Sequence, residues 1–225
     1  MSVTVPPASA PPKAMDRIRK ALAGGHPLIY VVSWEEARVE RVVQHLAKTF
    51  YGAAAPFGLW TVVDGLVVDG VPVPDTRDPL RVLEAILAAS GRGFYLLKDF
   101  PMTDSRPEIV RRLRDLYRSL KDRGRHVLLL SPRLVLPEEA KKEVYVVEYE
   151  LPDEGEISRI IDANARRRIG GEGLDEPSVR RLALAMRGLT ADEIGHLVSK
   201  VFAQRKVFDE EAFLEVLAEK EQMSK

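Results

Sequence analysis

The chain has 225 residues, of which 45% are hydrophobic, and it carries 34 basic and 34 acidic residues. This composition is typical of a globular protein with a core, and the balanced charge argues against strong general attraction to nucleic acid or membrane. Cysteine is absent, which excludes disulfides and thiolate metal sites. The four histidines lack the spacing of zinc ligands, so we expect no metal site.

Residues 1–13 contain four prolines and show no hydrophobic periodicity, which predicts a disordered tail. The tail lacks the basic start and apolar centre of a signal peptide. No later segment reaches the ~20 apolar residues of a membrane span. We therefore expect a cytoplasmic protein without a membrane partner.

Strands alternate with helices between residues 14 and 152. After a first helix at 15–22, apolar strands are predicted at 28–32, 59–63, 94–97, 126–130 and 144–149, and helices at 35–50, 79–89 and 106–122. Asp69-Gly70 is typical of a small hairpin turn. This order predicts an α/β domain in which helices sandwich a parallel five-stranded sheet.

Residues 153–225 show helical periodicity only. Helices are predicted at 157–169, 176–186, 190–202 and 209–219, with a capping box between Thr190 and Glu193. We therefore expect a second, small, all-helical domain.

The turn after the first strand reads Ser33-Trp34-Glu35-Glu36. In nucleotide-binding α/β folds this turn usually carries a glycine-rich loop and a lysine that hold phosphates. Here Ser33 and Glu36 have the spacing of a capping box, which would occupy the N–H groups that otherwise bind phosphate. A catalytic pair of carboxylates, Glu35 and Glu36, is the alternative.

Asp99 follows an apolar strand, where Mg²⁺-nucleotide enzymes hold the metal, usually with a glutamate beside it. Here the next residue is Phe100, and Asp99 could equally cap the following turn. The sequence thus predicts a degenerate nucleotide site made of Ser33, Trp34, Glu35, Glu36 and Asp99, with no catalytic residue.

The helix at 106–122 has a leucine face and an opposite basic face. We call the basic face the basic stripe; it consists of Arg111, Arg114, Arg118, Lys121 and Arg125. The stripe could be a solvated surface. It could also bind an acidic partner, the nucleotide of a neighbouring subunit or a nucleic-acid backbone.

The order of elements resembles a AAA+ module with its helical lid. More narrowly, "LIYVVSWEEARVERVV", "FYLLKDF" and "VRRLRDLYRSLKDR" resemble the N-terminal half of bacterial and plastid AAA ATPases related to hypothetical chloroplast reading frame forty-six. The resemblance covers nearly everything after residue 14. It implies a P-loop NTPase-like core that has lost its nucleotide motifs, with ATP and Mg²⁺ bound by a working module that would follow Lys225.

We therefore expect no cofactor and no enzymatic activity in this chain alone. The favoured hypothesis is a regulatory or assembly module that pairs with an active AAA+ module of the same or another chain, or with copies of itself. A clamp-loader-like module that touches DNA or a DNA-bound partner through the basic stripe is an alternative, although direct nucleic-acid binding is not expected. A weak ATPase that uses Asp99 is a further alternative.

Overall fold

A computed structural model describes residues 13–100, 106–169, 173–203, 205 and 207–223. The proline-rich tail predicted at 1–13 lies outside this part of the chain, except for Lys13, which begins the first helix. The described residues divide after Glu150 into two compact units, an α/β unit and a helical unit. No helix in the described ranges combines the length and apolarity needed to cross a membrane.

The α/β unit contains one sheet of seven strands. They are β1 (Leu28–Val32), β2 (Phe57–Thr61), β3 (Gly65–Val68), β4 (Val71–Pro72), β5 (Gly93–Lys98), β6 (Arg125–Ser131) and β7 (Tyr145–Glu148). Their order across the sheet is β4-β3-β2-β5-β6-β1-β7. The five predicted strands pair in parallel, and β3 and β4 add an antiparallel hairpin at one edge, so the sheet is mixed.

Helices flank the sheet and build the second unit. They are α1 (Lys13–Ala23), α2 (Glu36–Thr49), α3 (Pro79–Ala88) and α4 (Pro107–Leu120), followed by α5 (Glu154–Ile169), α6 (Glu176–Ala185), α7 (Ala191–Val201) and α8 (Glu210–Met223). A short 3-10 turn at Glu138–Ala140 precedes β7.

Alternate residues of the buried strands supply two separate cores. On β5, Tyr95 and Leu97 pack with α3 and α4, whereas Phe94 and Leu96 pack with α1 and α2. This division follows from the two-residue side-chain period of a strand. It also explains why the strands read as continuous apolar runs, since both faces of the sheet are covered.

The second strand begins two residues earlier than predicted and ends at Thr61, which leaves Val62 and Val63 exposed beyond it. The cause is Gly58, whose low strand propensity masks the true start. Glycine is required there by close packing, because an added Cβ would lie 2.6 Å from the Tyr95 ring. The predicted hairpin is confirmed, and Asp69 and its glycine neighbour both have the positive φ angles of a two-residue hairpin turn.

The helical unit has a core of its own, contributed by all four of its helices. The predicted capping box of α7 is confirmed: the Glu193 N–H donates to Thr190 Oγ1 at 3.2 Å, and the Thr190 N–H donates to Glu193 Oε2 at 2.7 Å. A complete core and a satisfied helix start are what a separately folding unit requires.

Candidate functional site

The candidate site lies at the edge formed by the carboxyl ends of the parallel strands. Adjacent strands β1 and β6 have outgoing connections that run in opposite directions, to β2 and to β7. Ligands of open α/β sheets bind at such a switch point, outside the carboxyl ends. In the ladder, Lys98 pairs with Leu130 and Leu130 pairs with Val31, so the end of β5 and the turn after β1 share this edge.

The turn after β1 is held by main-chain bonds and by one hydroxyl. Ser33 is buried, its N–H donates to Ser131 O at 3.0 Å, and its Oγ accepts from the Glu35 N–H at 3.0 Å. The Glu36 N–H donates to Trp34 O at 3.0 Å. The N–H groups of Glu35 and Glu36 are thus both satisfied within the turn.

The capping box predicted between Ser33 and Glu36 is wrong. Helix α2 begins at Glu36, its N-cap is Glu35, and no side chain caps it. The Ser33 hydroxyl bonds one residue short of the predicted partner, in the local turn that serine often forms. The Glu36 carboxylate faces a neighbouring strand instead of reaching back to Ser33.

That carboxylate belongs to a three-residue ion cluster, the Lys98 cluster, formed by Lys98 with Glu36 and Glu40. Lys98 Nζ lies 2.6 Å from Glu36 Oε1 and 2.6 Å from Glu40 Oε2, and the lysine side chain is only 14% exposed. Burial acts to lower the pKa of Lys98, but the hydrogen bonds that the ammonium donates to Glu36 and Glu40, together with the negative charges of these carboxylates, outweigh burial and raise the pKa. The cluster therefore holds a fixed ammonium at the end of β5.

Sequence reasoning missed Lys98, although a signal was present. Lys98 is two residues after Leu96 and four after Phe94, both of which face α2, so strand periodicity places the lysine on the α2 side. Glu36 and Glu40 are one helical turn apart and share a face of α2.

Glu35 does not form a pair with Glu36. Its carboxylate is buried and lies 3.6 Å from the Arg38 guanidinium. Arg38 also donates to Glu150 O at 3.0 Å and stacks 5.0 Å from the centre of the Tyr149 ring. Thus the two glutamates of the turn are held by different cations, one near β7 and one at β5.

The other two predicted site residues are both exposed. The Trp34 side chain is 70% exposed. Asp99 has a left-handed backbone (φ 48°), and its N–H donates to Leu130 O at 2.8 Å. The turn that Asp99 was expected to cap falls in residues 101–105, outside the described part of the chain. Within the described ranges, no group of three or more histidine, aspartate or glutamate residues could hold a metal ion.

The basic stripe is only partly as predicted. The leucine face of α4 is buried, whereas Arg118 and Lys121 are exposed and Arg111 pairs with Asp115 on the same helix. Arg114 is half-buried, with its Nε 3.1 Å from Glu143 Oε1.

Arg125 does not belong to the stripe. It is the first residue of β6, is 5% exposed, and donates to the carbonyl oxygens of Ile86 (2.9 Å) and Leu87 (3.3 Å) at the end of α3. The helical spacing that predicted Arg125 in the stripe does not hold beyond Leu120, where α4 ends and the positive φ angles of Asp122 and Gly124 turn the chain. The exposed stripe is therefore limited to Arg111, Arg118 and Lys121.

Comparison with known proteins assigns the family. Residues 14–149 match the family model of the SpoVK-like AAA ATPase N-terminal domain, and residues 154–225 match that of the SpoVK-like AAA ATPase second domain. The chain belongs to the SpoVK-like AAA ATPase family. The resemblance to AAA ATPases related to chloroplast reading frame forty-six is confirmed by relatives of that name.

This SpoVK-like chain is 28% identical to the AAA domain-containing protein ycf46 of Trieres chinensis, an alignment that covers 94% of this chain and 42% of the relative. It is 26% identical to ycf46 of Guillardia theta, with 90% of this chain and 40% of the relative covered. The SpoVK-like chain thus spans about two fifths of the length of these relatives.

Solved structures share the fold of the SpoVK-like chain at low sequence identity. A chain from the HORMA:CdnC:Trip13 complex of E. coli MS115-1 superposes with a TM-score of 0.61 at 13% identity, covering 93% of this chain and 87% of that one. Domain III of the Thermotoga maritima replication initiation protein DnaA gives a TM-score of 0.56 at 13% identity, with 92% and 89% covered. The AAA+-like architecture with a C-terminal helical region is confirmed.

Proposed function

We propose that this SpoVK-like module is non-catalytic and acts in regulation, assembly or partner binding beside an active AAA+ module of the same or another chain. The observation that carries the proposal is the Lys98 cluster. An active P-loop site has its cation on the loop and first helix, and its metal-binding acid at the end of a neighbouring strand. Here glutamates begin the helix and a lysine ends the strand.

The inverted charges act against a triphosphate in two ways. An incoming phosphate would meet the carboxylate of Glu36, which is 56% exposed, at the start of α2. The ammonium that could attract it is already shared between two carboxylates. Like charges at close range disfavour binding, and a neutralised cation offers little in return.

The main chain of the turn gives further support. Phosphate loops bind anions through free N–H groups at a helix start. In this turn the Glu35 and Glu36 N–H groups donate to Ser33 Oγ and Trp34 O. A phosphate would have to displace both bonds, and the turn contains no glycine to let the main chain rearrange.

The alternative functions receive less support. A DNA-binding role through the basic stripe is weakened because Arg125 is buried and Arg114 is paired with Glu143. A weak ATPase based on Asp99 is weakened because Asp99 lies beyond the end of β5 with a left-handed main chain, and the next residue is the buried Phe100 instead of a base.

The test is calorimetric titration of the whole chain with ATP and Mg²⁺. We expect no heat of binding up to millimolar nucleotide and no phosphate release. Micromolar binding by the wild type, abolished by Lys98→Met, would overturn the proposal, because it would make Lys98 a nucleotide ligand. Lys48→Met, at the far end of α2, is the matched control for the loss of one lysine.

A further inference from the structure

We propose that the carboxyl edge of the parallel sheet docks a protein segment whose apolar side chains are flanked by lysine or arginine. The docking surface, here the edge patch, consists of Trp34, Val62, Val63 and Leu134, which are 70%, 61%, 69% and 51% exposed. The inference rests on the proposed function, because the edge is open to a protein only where no nucleotide occupies it.

The sheet topology brings the edge patch together. Val62 follows the end of β2, Trp34 lies two residues beyond β1, and Leu134 lies three residues beyond β6. Since β2, β5, β6 and β1 are consecutive parallel neighbours, all these residues emerge at one edge. Neighbouring strands are ~4.8 Å apart, so the patch extends over ~14 Å, the width of one peptide helix or extended segment.

Trp34 has the properties of an anchor residue. Large exposed aromatic side chains are uncommon on a free surface and are enriched at the centres of interfaces. The turn that carries Trp34 is fixed on both sides, because Ser33 is bonded to Ser131 and the Glu36 N–H donates to Trp34 O. A fixed main chain reduces the entropy lost when the side chain is covered.

A cavity that reaches the carboxyl edge at Thr61 and Asp64 can receive a second apolar side chain. It has a volume of about 290 Å³ and lies between α2 and the β2–β3 ribbon. Its apolar lining includes Phe57, Leu59 and Val67, and its acidic lining is Glu40, Asp64 and Asp69, the last at the end of the cavity away from the carboxyl edge.

The charges around the edge patch select the partner. Three carboxylates line the cavity (Glu40, Asp64 and Asp69), Glu36 begins α2 and Asp99 follows β5 at the carboxyl edge, whereas the described residues that line the cavity include no cation. Lys98 is already bound to two of these carboxylates. The remaining negative charge favours a basic segment, and opposite potentials at an interface increase specificity and the rate of association.

The chain supplies its own reporter for the test. The chain has two tryptophans, of which Trp60 is fully buried and Trp34 is 70% exposed. Acrylamide quenching and the long-wavelength part of the tryptophan emission therefore report on Trp34. The probe is a synthetic amphipathic peptide of leucine and lysine, and the charge control is the same pattern with glutamate in place of lysine. We expect the lysine peptide to shift Trp34 emission to the blue and protect it from acrylamide in a saturable manner, and the glutamate peptide to do neither.

Variants locate the binding surface, with affinity measured by the anisotropy of a dye on the peptide. Trp34→Ala and the double variant Val62→Ser/Val63→Ser should weaken binding at least about tenfold. The matched control is Val71→Ser, because Val71 is 66% exposed, lies in β4 at the opposite edge of the sheet and does not line the cavity. Circular dichroism checks that each variant folds, which is expected because these side chains are exposed.

Each outcome decides the proposal. Equal affinity of all variants, or equal binding of the glutamate peptide, would overturn it. A dimer that Trp34→Ala dissociates would also overturn it, by identifying a second copy of the chain as the occupant. An absence of peptide binding together with an absence of ATP binding would overturn only the docking surface. Displacement of bound peptide by ATP and Mg²⁺ would instead contradict the proposed function.

Discussion

At the scale of single residues, Lys98 decides the character of the candidate site, because its ammonium bridges two carboxylates that would otherwise repel each other. We expect Lys98→Met to lower the free energy of unfolding by about 1–3 kcal/mol, since removing one member of a partly buried cluster leaves the others uncompensated. Glu36 is more than half exposed, and solvent screening keeps the loss below that of a fully buried pair.

The measurement is urea denaturation of Lys98→Met and of Lys98→Met/Glu40→Leu. The double variant should regain part of the lost stability, because it removes one of the two facing carboxylates. Equal stability of Lys98→Met and the wild type would contradict a structural role for the cluster.

His126 gives the α/β unit a pH dependence. Its Nε2 lies 2.6 Å from Tyr51 Oη and its Nδ1 lies 3.2 Å from His26 O. Burial lowers the pKa of His126 below its usual 6.5, and the bond to His26 O opposes that effect only in part. The unfolded chain therefore takes up a proton first as the pH falls below 6.5.

The stabilising contribution of neutral His126 is thus complete above pH 6.5 and decreases at lower pH, towards the lowered pKa of the folded state. We expect the melting temperature to fall between pH 7 and pH 5. Thermal melts of His126→Phe should show a smaller fall over the same range. A pH profile that His126→Phe leaves unchanged would assign the dependence to other groups.

At the scale of elements, the strand and helix order was predictable because apolar runs and 3–4 periodicity are local signals. The incorrect predictions concern positions whose structure is determined by residues outside the local sequence window. The Ser33–Glu36 spacing satisfies a capping box, but the Glu36 carboxylate bonds to Lys98, 62 residues away in the chain. Arg125 fits the spacing of α4 only if the helix continues through Gly124, whose φ is 70°. The exposure of Trp34 likewise could not be predicted from local sequence, because it depends on how the strands are arranged in the sheet.

Helix α4 provides a contrast between two arginines one turn apart. We expect Arg118→Glu to leave the melting temperature nearly unchanged, because exposed charges contribute little. Arg114→Glu should lower it, because the new carboxylate would face the mostly buried Glu143, whose side chain is 14% exposed. Thermal denaturation of both variants measures the difference.

If the exposed stripe binds an acidic partner or an active AAA+ module, Arg118→Glu should also weaken that association at low salt, and the loss should shrink at high salt. Pull-down with the candidate module at two salt concentrations tests this point. Unchanged binding at low salt would make the exposed stripe a solvated surface.

At the scale of the whole molecule, the two units have separate cores. The helical unit buries apolar residues from all four of its helices, and the matched family domains end and begin between residues 149 and 154. We expect a fragment of residues 151–225 to fold alone, because a complete core is the requirement for an independent domain.

Circular dichroism should show helical signal and a cooperative melt for this fragment. A Leu197→Ala variant should lower its midpoint, because Leu197 is fully buried in that core. A broad transition that Leu197→Ala does not change would indicate that the helical unit depends on the α/β unit for its packing.

The Lys98 cluster also has an evolutionary consequence. Lys98→Asp would place three carboxylates next to one another with no cation between them. Glu36→Lys would place two ammonium groups next to each other with Glu40 as their only carboxylate in the cluster. Each single exchange therefore yields a less stable intermediate, although both together would restore the polarity of a nucleotide site. We therefore expect the two charge exchanges to be epistatic, because each is destabilising alone and is compensated only when the other is present.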